Sequence, residues 1–337
     1  MTDIEVDPGR ERLRAAWRAL GRDGFYQDPE YGDLYEATTR HEAVRAIAWS
    51  GDAPVGFAQA IVFREGPKLV GSLGIHATIR HGPVFPKGGR RDDARALLEG
   101  LVEGLRPRVA YLRVYPGRED VPGPAFASAG FKRTAWLNYY VDLTGTEGEV
   151  LERVSKKRRY GIRKATDRGI AVREASSVAD VREAHRLLAA THARVEFPLE
   201  PQAFFERAFE RFHPRRLRVF LAELGGRPLA TTVVAVDGTA AVNWFAGSEL
   251  EPQTSKLYPN DAVLWAAIRW ARSQGLACFD MGGGGPPENL AGFVDFKRQF
   301  GGREIDVGQY TFVPSEWKLA VAGRGFELLR KIRGIRR

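Results

Sequence analysis

Two stretches of alternating apolar and polar residues are each followed by a stretch with helical periodicity, in the same order. Residues 46–62 and 220–234 each fit two strands joined by a tight turn that contains glycine. The spacing of apolar residues then predicts an amphipathic helix over 92–105 in the first case and over 261–274 in the second. The chain therefore reads as two halves that resemble each other.

The likeness continues after each helix. A short apolar strand is predicted at 109–115 and again at 277–281, and each is followed by a phenylalanine–lysine pair near glycine, at 131–132 and 296–297. Corresponding features lie roughly 165 residues apart, which is too long for a solenoid repeat and indicates a duplicated domain. Strands that alternate with helices on this plan predict an α/β fold with mixed sheets.

The boundary between the halves is predicted near residue 145. This gives a first domain over 1–145, a second over 146–312 and a basic C-terminal segment over 313–337. The second domain is predicted to open with a helix over 147–168, because apolar residues recur along one face and Gly169 provides a left-handed cap.

The chain has a formal net charge of +9 and a pI of about 9.7, which favours an anionic partner such as nucleic acid, a nucleotide or an anionic membrane. Two basic runs stand out, at 155–164 and 327–337. In the first, Arg159 and Arg163 share one helix face, which is either a binding surface or a solvated basic face. The second is loosely amphipathic and fits either a peripheral contact with an anionic membrane or a simple solvated terminus.

Composition disfavours several classes of protein and site. The chain has no run of about 18 apolar residues that would predict a transmembrane helix, and its first residues lack the pattern of a signal peptide, so a cytoplasmic location is expected. The single cysteine, Cys278, lies in an apolar strand and is expected to be a core thiol. Six scattered histidines and one cysteine give no metal-ligand spacing, so no metal is expected.

Residues 275–302 carry the most informative pattern. A strand is predicted to end at Asp280, glycines 282–285 to form a loop, and the following helix to present Phe296 and Lys297. Glycine at such a place lets a ligand approach the backbone closely. The run fits neither a GxxxxGK[ST] phosphate loop nor a GxGxxG dinucleotide loop, because two prolines follow the last glycine.

Short motifs follow one another in a characteristic order along nearly the whole chain. They are Phe25-Tyr-Gln-Asp-Pro-Glu-Tyr-Gly32, Ile79-Arg-His-Gly-Pro-Val84, Arg159-Tyr-Gly-Ile-Arg-Lys-Ala-Thr-Asp-Arg-Gly169, Leu257-Tyr-Pro-Asn-Asp-Ala-Val-Leu-Trp265, Phe279-Asp-Met-Gly-Gly283 and, most specific, Asp295-Phe-Lys-Arg-Gln-Phe-Gly-Gly302. In this order they resemble the FemABX family, the aminoacyl-tRNA-dependent peptidoglycan aminoacyltransferases. The resemblance implies two tandem GNAT-like acyltransferase domains.

The resemblance also implies a reaction, the transfer of an aminoacyl group from an ester on tRNA to an amine of a peptidoglycan precursor. Attack of the amine on the ester carbonyl creates an oxyanion, which needs a cation or N–H donor. Lys297 is the candidate oxyanion partner, and Phe296 would frame the site. Asp280 is the candidate for orienting the amine or taking its proton, with a capping role as the alternative.

Further residues are candidates for substrate binding. Lys156, Arg159 and Arg163 are predicted to contact tRNA phosphates, and the alternative for Arg159 and Arg163 is the diphosphate of the acceptor. Tyr258 is predicted to help set the aminoacyl pocket.

The acceptor is the less certain substrate from sequence. Gly282 and Gly283 are predicted to admit substrate to the backbone. His81 is a candidate for acceptor binding and stands where the family often has tyrosine, before a Gly-Pro turn. This departure and the basic C-terminus favour a lipid-linked acceptor over a nucleotide-linked one.

Aminoacyl-tRNA is therefore the expected co-substrate, and no bound cofactor is expected. The alternative is an N-acyltransferase that uses acetyl-CoA and acts on a cell-surface polysaccharide or an amine, although no Arg/Gln-x-x-Gly-x-Gly/Ala loop precedes either predicted helix. A non-catalytic RNA-binding protein would give no reason for the glycine run followed by Phe-Lys. The amino acid transferred, the accepting amine and the oligomeric state stay open.

Overall fold

The computed structural model describes residues 2–64, 76–86, 93–117, 123–249, 251–287 and 293–314, and every structural statement below refers to these residues. They divide into two units, each built on a mixed seven-stranded sheet. Unit 1 takes the chain up to residue 135 and again from 307 onward, and unit 2 takes residues 136–306. The predicted α/β fold with mixed sheets is confirmed.

The elements follow one another in chain order. Up to residue 135 they are β1 (Asp3–Val6), α1 (Arg10–Leu20), α2 (Pro29–Thr38), β2 (Glu42–Ser50), β3 (Ala53–Phe63), β4 (His76–Arg80), α3 (Asp93–Leu105), β5 (Tyr111–Tyr115), α4 (Gly123–Ser128) and β6 (Lys132–Thr134). Unit 2 contains β7 (Leu137–Asp142), α5 (Glu147–Arg153), α6 (Lys156–Asp167), β8 (Ile170–Glu174), α7 (Val178–Arg194), α8 (Gln202–Phe212), β9 (Leu217–Leu224), β10 (Arg227–Asp237), β11 (Ala240–Ser248), α9 (Pro252–Ser255), α10 (Pro259–Ser273), β12 (Cys278–Gly285), α11 (Phe293–Gln299) and β13 (Arg303–Asp306). The chain then adds β14 (Gln309–Phe312) to unit 1.

The two sheets have the same plan. Their strand orders are β1-β2-β3-β4-β5-β14-β6 and, read in the matching direction, β8-β9-β10-β11-β12-β7-β13. The sixth place in each sheet is filled by a strand from the other half of the sequence, since β7 pairs with β12 and β14 pairs with β5. The strand at 137–142, which the sequence analysis puts in the first domain, therefore belongs to the sheet of unit 2.

The structural repeat shows that the two phenylalanine–lysine pairs do not occupy corresponding positions. Gly130 and Gly301 both have positive φ, +83° and +81°, and each lies just before a short strand, β6 or β13. Lys132 therefore corresponds to Arg303 and not to Lys297, and the expected pairing of the two phenylalanine–lysine motifs is wrong. The counterpart of Lys297, four residues before the glycine, is Phe126, which is fully buried.

The predicted helix over 147–168 is two helices. Ser155 interrupts it with an extended backbone and caps α6, accepting a hydrogen bond from the Arg158 N–H. The expected left-handed glycine is present, because Gly169 has a φ of +80°. α5 and α6 come between the two repeated sets of elements and have no counterpart among the described elements of unit 1.

Each unit has a core under its central helix, and in unit 1 a further cluster joins α1 to Ile47, Trp49 and Phe57. In unit 1, Leu97, Leu98 and Leu101 of α3 are completely buried against the inner residues of β2 to β5. In unit 2, Ala267 and Ile268 of α10 occupy the corresponding place. Burial of each such leucine or isoleucine contributes about 2 kcal/mol, so these helices fix the strands beneath them.

Candidate active site

Two neighbouring parallel strands of unit 2 separate partway along their length. β11 and β12 pair only over three residues each, 240–242 with 278–280. Residues 243–248 and 281–285 are all described, and no pairing between them continues the ladder. An opening therefore forms, edged by backbone N–H and C=O groups that a bound group can use. The counterpart strands in unit 1, β4 and β5, pair over all five residues and leave no such opening in the described part of that sheet.

Asp280 lies at the apex of this opening and is 2% exposed. Its Oδ1 accepts a hydrogen bond from Asn138 Nδ2 at 2.9 Å and from the Gly282 N–H at 2.7 Å. Its Oδ2 accepts from the same Asn138 nitrogen at 3.1 Å. The carboxylate is thus fixed from β7 and from its own strand, which suits both the predicted proton-handling role and the predicted capping role.

Lys297 reaches the same strand from α11. Its Nζ donates hydrogen bonds to the carbonyl oxygens of Gly282 and Gly283, each at 2.9 Å, and lies 5.9 Å from the centre of the Tyr139 ring. Burial lowers the pKa of Lys297 from 10.5 to about 8, although the charge of Asp280 raises it. The ammonium is therefore mostly protonated at neutral pH and loses its proton at mildly alkaline pH.

The glycine run is a strand, so the predicted loop and the predicted strand end at Asp280 are wrong. β12 continues through the run, because Gly283 pairs with Asn138 and Gly285 pairs with the first residue of β7. Gly282 has a φ of +78°, and a Cβ on Gly283 would overlap Trp136 Nε1. Glycine is needed at these positions because one is left-handed and the other is closely covered by an indole ring.

Phe296 is held by a network that the sequence analysis missed. The guanidinium of Arg158 lies 4.4 Å from the centre of the Phe296 ring and donates to Gln299 Oε1 at 2.9 Å. The same group donates to Asp261 Oδ1 at 3.0 Å, and the two side chains are only 18% and 4% exposed. This ion pair joins α6, α10 and α11, and so positions the helix that carries Lys297.

A glycine lets α6 approach α10 closely. A Cβ on Gly161 would overlap Asp261 Oδ2 and would lie 3.1 Å from the Tyr258 ring. Asp261 Oδ2 is buried and has no hydrogen-bond partner in the described part of the chain. Burial raises the pKa of Asp261, although the charge of Arg158 lowers it. The Asp261 carboxylate therefore depends on Arg158 for its compensation.

The predicted basic residues lie together on α6. Lys156 and Arg163 are exposed and Arg159 is half-buried, and none of the three forms an ion pair with another described residue. Tyr160 is 44% exposed on the same helix, 5.7 Å from the Arg163 guanidinium and 5.9 Å from the Lys164 ammonium. α6 thus presents unpaired positive charge beside an accessible aromatic ring.

Tyr258 and His81 occupy different units. Tyr258 caps α10 with a left-handed backbone, φ +57°, and its ring meets that of Tyr160 edge-on at 6.1 Å. His81 follows β4 in unit 1, has a φ of +48° and donates its N–H to the Tyr115 carbonyl at 2.8 Å. Its ring lies 4.7 Å from that of Tyr26. His81 is therefore part of an aromatic cluster on the first sheet.

Sequence patterns did not identify two residues of the site, Asn138 and Arg158. Asn138 is the counterpart of Gln309, but this correspondence is visible only once the exchange of β7 and β14 is known. Arg158 lies within an unbroken basic run, where composition does not distinguish it from Arg159. Because Ser155 caps α6, the helix begins at Lys156, and this start determines that Arg158 is the residue of the run that faces Asp261.

The described ranges contain neither a clustered metal site nor a membrane-spanning helix. Within them, no group of three or more histidine, cysteine, aspartate or glutamate residues is arranged to hold a metal ion. None of the helices described is both long and apolar enough to span a membrane. The predicted basic segment over 313–337 falls almost wholly outside the described residues, so its membrane contact stays a prediction.

Comparison with known proteins supports the assignment of the fold. Residues 152–298 match the family model of the acetyltransferase (GNAT) domain, whereas no curated protein sequence matches the chain. The structure is similar to the crystal structure of FemX, with 15% identity and a TM-score of 0.67 over 92% of this chain and 97% of that one. The C-terminal domain of an Agrobacterium fabrum protein assigned as a lysylphosphatidylglycerol synthetase gives 16% identity and a TM-score of 0.58, covering 95% and 96%.

A third similar structure is a tandem GNAT protein from the clavulanic acid biosynthesis pathway. It gives 15% identity and a TM-score of 0.54, covering 93% of this chain and 99% of that one. The predicted resemblance to FemABX proteins is thus confirmed at the level of the fold, and the predicted acyltransferase class by the domain match. The chain has the tandem GNAT acyltransferase fold, shared with FemX, and carries its acetyltransferase (GNAT) domain in residues 152–298.

Proposed function

We propose that this protein transfers an aminoacyl group from aminoacyl-tRNA to an amine of a peptidoglycan precursor, with a lipid-linked precursor as the favoured acceptor. The observation that carries the proposal is the placement of the basic helix α6 across the N-terminal end of α10. Aminoacyl-tRNA acts as co-substrate, the proposal involves no bound cofactor, and the reaction takes place in the cytoplasm.

The N-terminus of α10 is poorly suited to a CoA pyrophosphate. Such a group is normally bound by free N–H groups in the first turn of a helix. Here the first turn begins with Pro259, which has no N–H, and the Asp261 N–H already donates to the Tyr258 carbonyl. Arg158 does not offer a compensating cation in the same turn, because it is paired with the carboxylate of Asp261 at 3.0 Å.

The α6 helix instead suits a larger polyanion. Its unpaired Lys156, Arg159 and Arg163 can each neutralise a phosphate, and Tyr160 offers a ring on which a base can stack. α6 is absent from the repeated plan of unit 1, so it is an addition specific to the unit with the strand opening. A tRNA acceptor stem, which presents phosphates and an unpaired end, matches this combination.

The site groups can perform the transfer. The neutral amine attacks the ester carbonyl carbon, and the carbonyl oxygen becomes an oxyanion that the Lys297 ammonium stabilises. Asp280 accepts the proton that the amine loses, directly or through water. The carbon–oxygen bond to the tRNA ribose then breaks, the ribose oxygen takes up a proton, and an amide bond remains. Phe296 frames the carbonyl from the preceding helical position.

The structural relatives agree with this reaction class without specifying it. FemX and the lysylphosphatidylglycerol synthetase domain share the fold over more than nine-tenths of the chain. The clavulanic acid pathway protein, a structure described without AcCoA, represents the alternative donor. That alternative is an acetyl-CoA-dependent N-acyltransferase acting on a polysaccharide or amine, and a direct donor comparison separates the two.

The test offers labelled aminoacyl-tRNA and labelled acetyl-CoA in parallel to the purified protein, with lipid-linked and nucleotide-linked precursors as acceptors. We expect label to move from tRNA to a precursor, and pretreatment of the donor with RNase to abolish the transfer. Transfer from acetyl-CoA alone would overturn the proposal.

Charge-reversal variants on α6 test whether this helix binds the tRNA. Reversal of charge in Arg159→Glu and Arg163→Glu should raise the KM for aminoacyl-tRNA about tenfold or more at low salt, because each variant replaces a phosphate contact with a repulsion. Arg207→Glu on the exposed face of α8 is the matched control, since it makes the same charge change elsewhere in unit 2. An equal effect from the control would mean that overall charge, and not α6, is responsible.

A further inference from the structure

A buried threonine in unit 2 fixes the orientation of an asparagine side chain at the edge of the strand opening. Thr232 of β10 is 1% exposed, and its hydroxyl donates a hydrogen bond to Asn243 Oδ1 at 2.6 Å. The Phe245 carbonyl, another acceptor near this hydroxyl, is 3.5 Å away, which is too long for a strong O–H···O bond. The Asn243 amide is therefore held with its oxygen toward β10.

The strand register places Asn243 directly after the point where β11 and β12 stop pairing. Val242, the preceding residue, forms the last pair of that ladder, with Asp280. Asn243 itself pairs with Val234 of β10. Since β10 and β12 flank β11 on opposite sides, an amide whose oxygen faces β10 directs its Nδ2 toward β12 and the opening.

The Nδ2 of Asn243 is placed to donate to a bound group. The side chain is half-buried, and its Nδ2 has no hydrogen-bond partner among the residues that the structure describes. An amide N–H that is partly withdrawn from water is costly to leave unsatisfied, so this one favours a ligand with an acceptor oxygen.

Lys297 reaches the opening on the same face of the sheet. Asn243 shares a face with its partner Val234, which is buried in the core beneath α10. Val294 and Phe300 of α11 belong to the same core, so α11 packs on that face too. The Asn243 amide therefore approaches the opening from β11, and the Lys297 ammonium approaches it from the side of β12.

The hydrogen bonds of Lys297 leave room for a second donor at the reacting oxygen. Its ammonium has three N–H groups, and two of them already donate to the carbonyls of Gly282 and Gly283. At most one N–H remains for a substrate oxygen. The oxyanion of a tetrahedral intermediate is commonly bound by more than one donor, and asparagine side chains are among the groups that serve this purpose.

We propose that Asn243 donates a second hydrogen bond to the acyl carbonyl oxygen during transfer, and that Thr232 is the positioning residue that directs it. As the amine attacks the carbonyl carbon, the π electron pair moves onto the oxygen, which accepts from Asn243 Nδ2 and from the Lys297 ammonium. When the double bond re-forms, the bond to the leaving oxygen of tRNA, or to the leaving sulfur of CoA, breaks, and that atom takes up a proton. The inference rests on the proposed use of this opening for acyl transfer and holds for either donor.

The kinetics of an alanine variant test the catalytic role of Asn243. We expect Asn243→Ala to lower kcat about 100-fold, because an oxyanion donor acts in the transition state, and to change the KM of the acyl donor less than about threefold. Transfer is measured with whichever donor the wild-type protein uses, aminoacyl-tRNA or acetyl-CoA. A kcat within about threefold of wild type, or a raised KM with unchanged kcat, would overturn the inference.

Two threonine variants on β10 isolate the positioning role. Thr231 is also 1% exposed, but its hydroxyl donates to the Phe220 carbonyl at 2.9 Å. Thr232→Val should lower kcat about tenfold, because the amide is no longer held in place. Thr231→Val should leave kcat unchanged although it also loses a buried hydrogen bond, and Thr232→Ser, which keeps the hydroxyl, should retain the wild-type kcat. Equal losses of kcat in the two valine variants would overturn the positioning role.

The choice of donor separates this inference from the proposed function. Transfer from acetyl-CoA alone, with a slow Asn243→Ala variant, would overturn the tRNA-dependent function and support the role of Asn243. Transfer from aminoacyl-tRNA at the wild-type rate in Asn243→Ala would overturn the inference and leave the proposed function standing. No transfer by the wild-type protein from either donor would overturn both.

Discussion

The proposed role of Lys297 makes the rate of transfer depend on pH. Burial lowers its pKa to about 8, so the cation that is proposed to stabilise the oxyanion is lost above that value. We predict that kcat, once the titration of the acceptor amine is divided out, falls as pH rises through about 8 and is about tenfold lower one unit above the pKa. Single-turnover transfer measured from pH 6.5 to 9.5, corrected for spontaneous ester hydrolysis, tests this. A rate that keeps rising through pH 9 after the titration of the acceptor amine is divided out would assign Lys297 the role of a base.

Lys297→Arg is the matched variant for that profile. Arginine stays protonated over the whole range, so the variant, even if slower, should lack the decline near pH 8. The ratio of the two profiles also removes the titration of the acceptor amine, which both enzymes share.

The lowered pKa of Lys297 also makes the stability of the fold depend on pH. Because the pKa in the folded chain is below 10.5, the unfolded chain binds more protons between about pH 8 and 10.5. This group therefore makes the free energy of unfolding rise with pH over that window.

Among the elements, the junction of α6, α10 and α11 depends on one ion pair. Arg158→Ala would leave Asp261 buried with neither oxygen compensated by a described partner, which we expect to cost about 3 kcal/mol of unfolding free energy. It would also release Gln299 and Phe296 and so lower kcat more than it raises either KM. Urea denaturation and transfer kinetics on the same samples measure both effects.

A double-mutant cycle with Asp261→Asn isolates the pair. We expect a coupling energy of about 1–3 kcal/mol, since the side chains are in contact and withdrawn from water. Arg269→Ala is the control on the same helix, because Arg269 pairs with Glu147 at 2.8 Å with both side chains about half exposed, and it should cost less than about 1 kcal/mol. Equal costs for the two arginines would contradict the special position of Arg158.

At the scale of the whole molecule, sequence patterns predicted the helices and strands better than they predicted which strands pair with each other. The helices at 93–105 and 259–273 lie within two residues of the expected ends, because apolar periodicity is a local property. The resemblance located Lys297 and Asp280, whose neighbours in sequence form a specific motif. Periodicity does not say which sheet a strand joins, so the exchange of β7 and β14 was missed. The misplaced boundary and the wrong pairing of Lys132 with Lys297 had the same origin.

The strand exchange makes a prediction about how the chain can be divided. A fragment over 1–145 lacks β14, which lies between β5 and β6, and a fragment over 146–337 lacks β7, which lies between β12 and β13. Each would have a gap inside its sheet, with backbone groups that no neighbouring strand pairs. We predict that neither fragment folds cooperatively when expressed alone, as judged by circular dichroism and urea denaturation.

A fragment over 136–306 is the matched comparison, because it contains every strand of the second sheet in an unbroken segment. It should unfold in a single cooperative transition and resist limited proteolysis, although it has fewer residues than 146–337. Since hydrophobic burial scales with the completeness of the sheet and not with the length of the chain, the shorter fragment should be the more stable one. A stable 146–337 fragment and an unfolded 136–306 fragment would show that β7 belongs to the first half after all, and that the sheet order described for unit 2 is wrong.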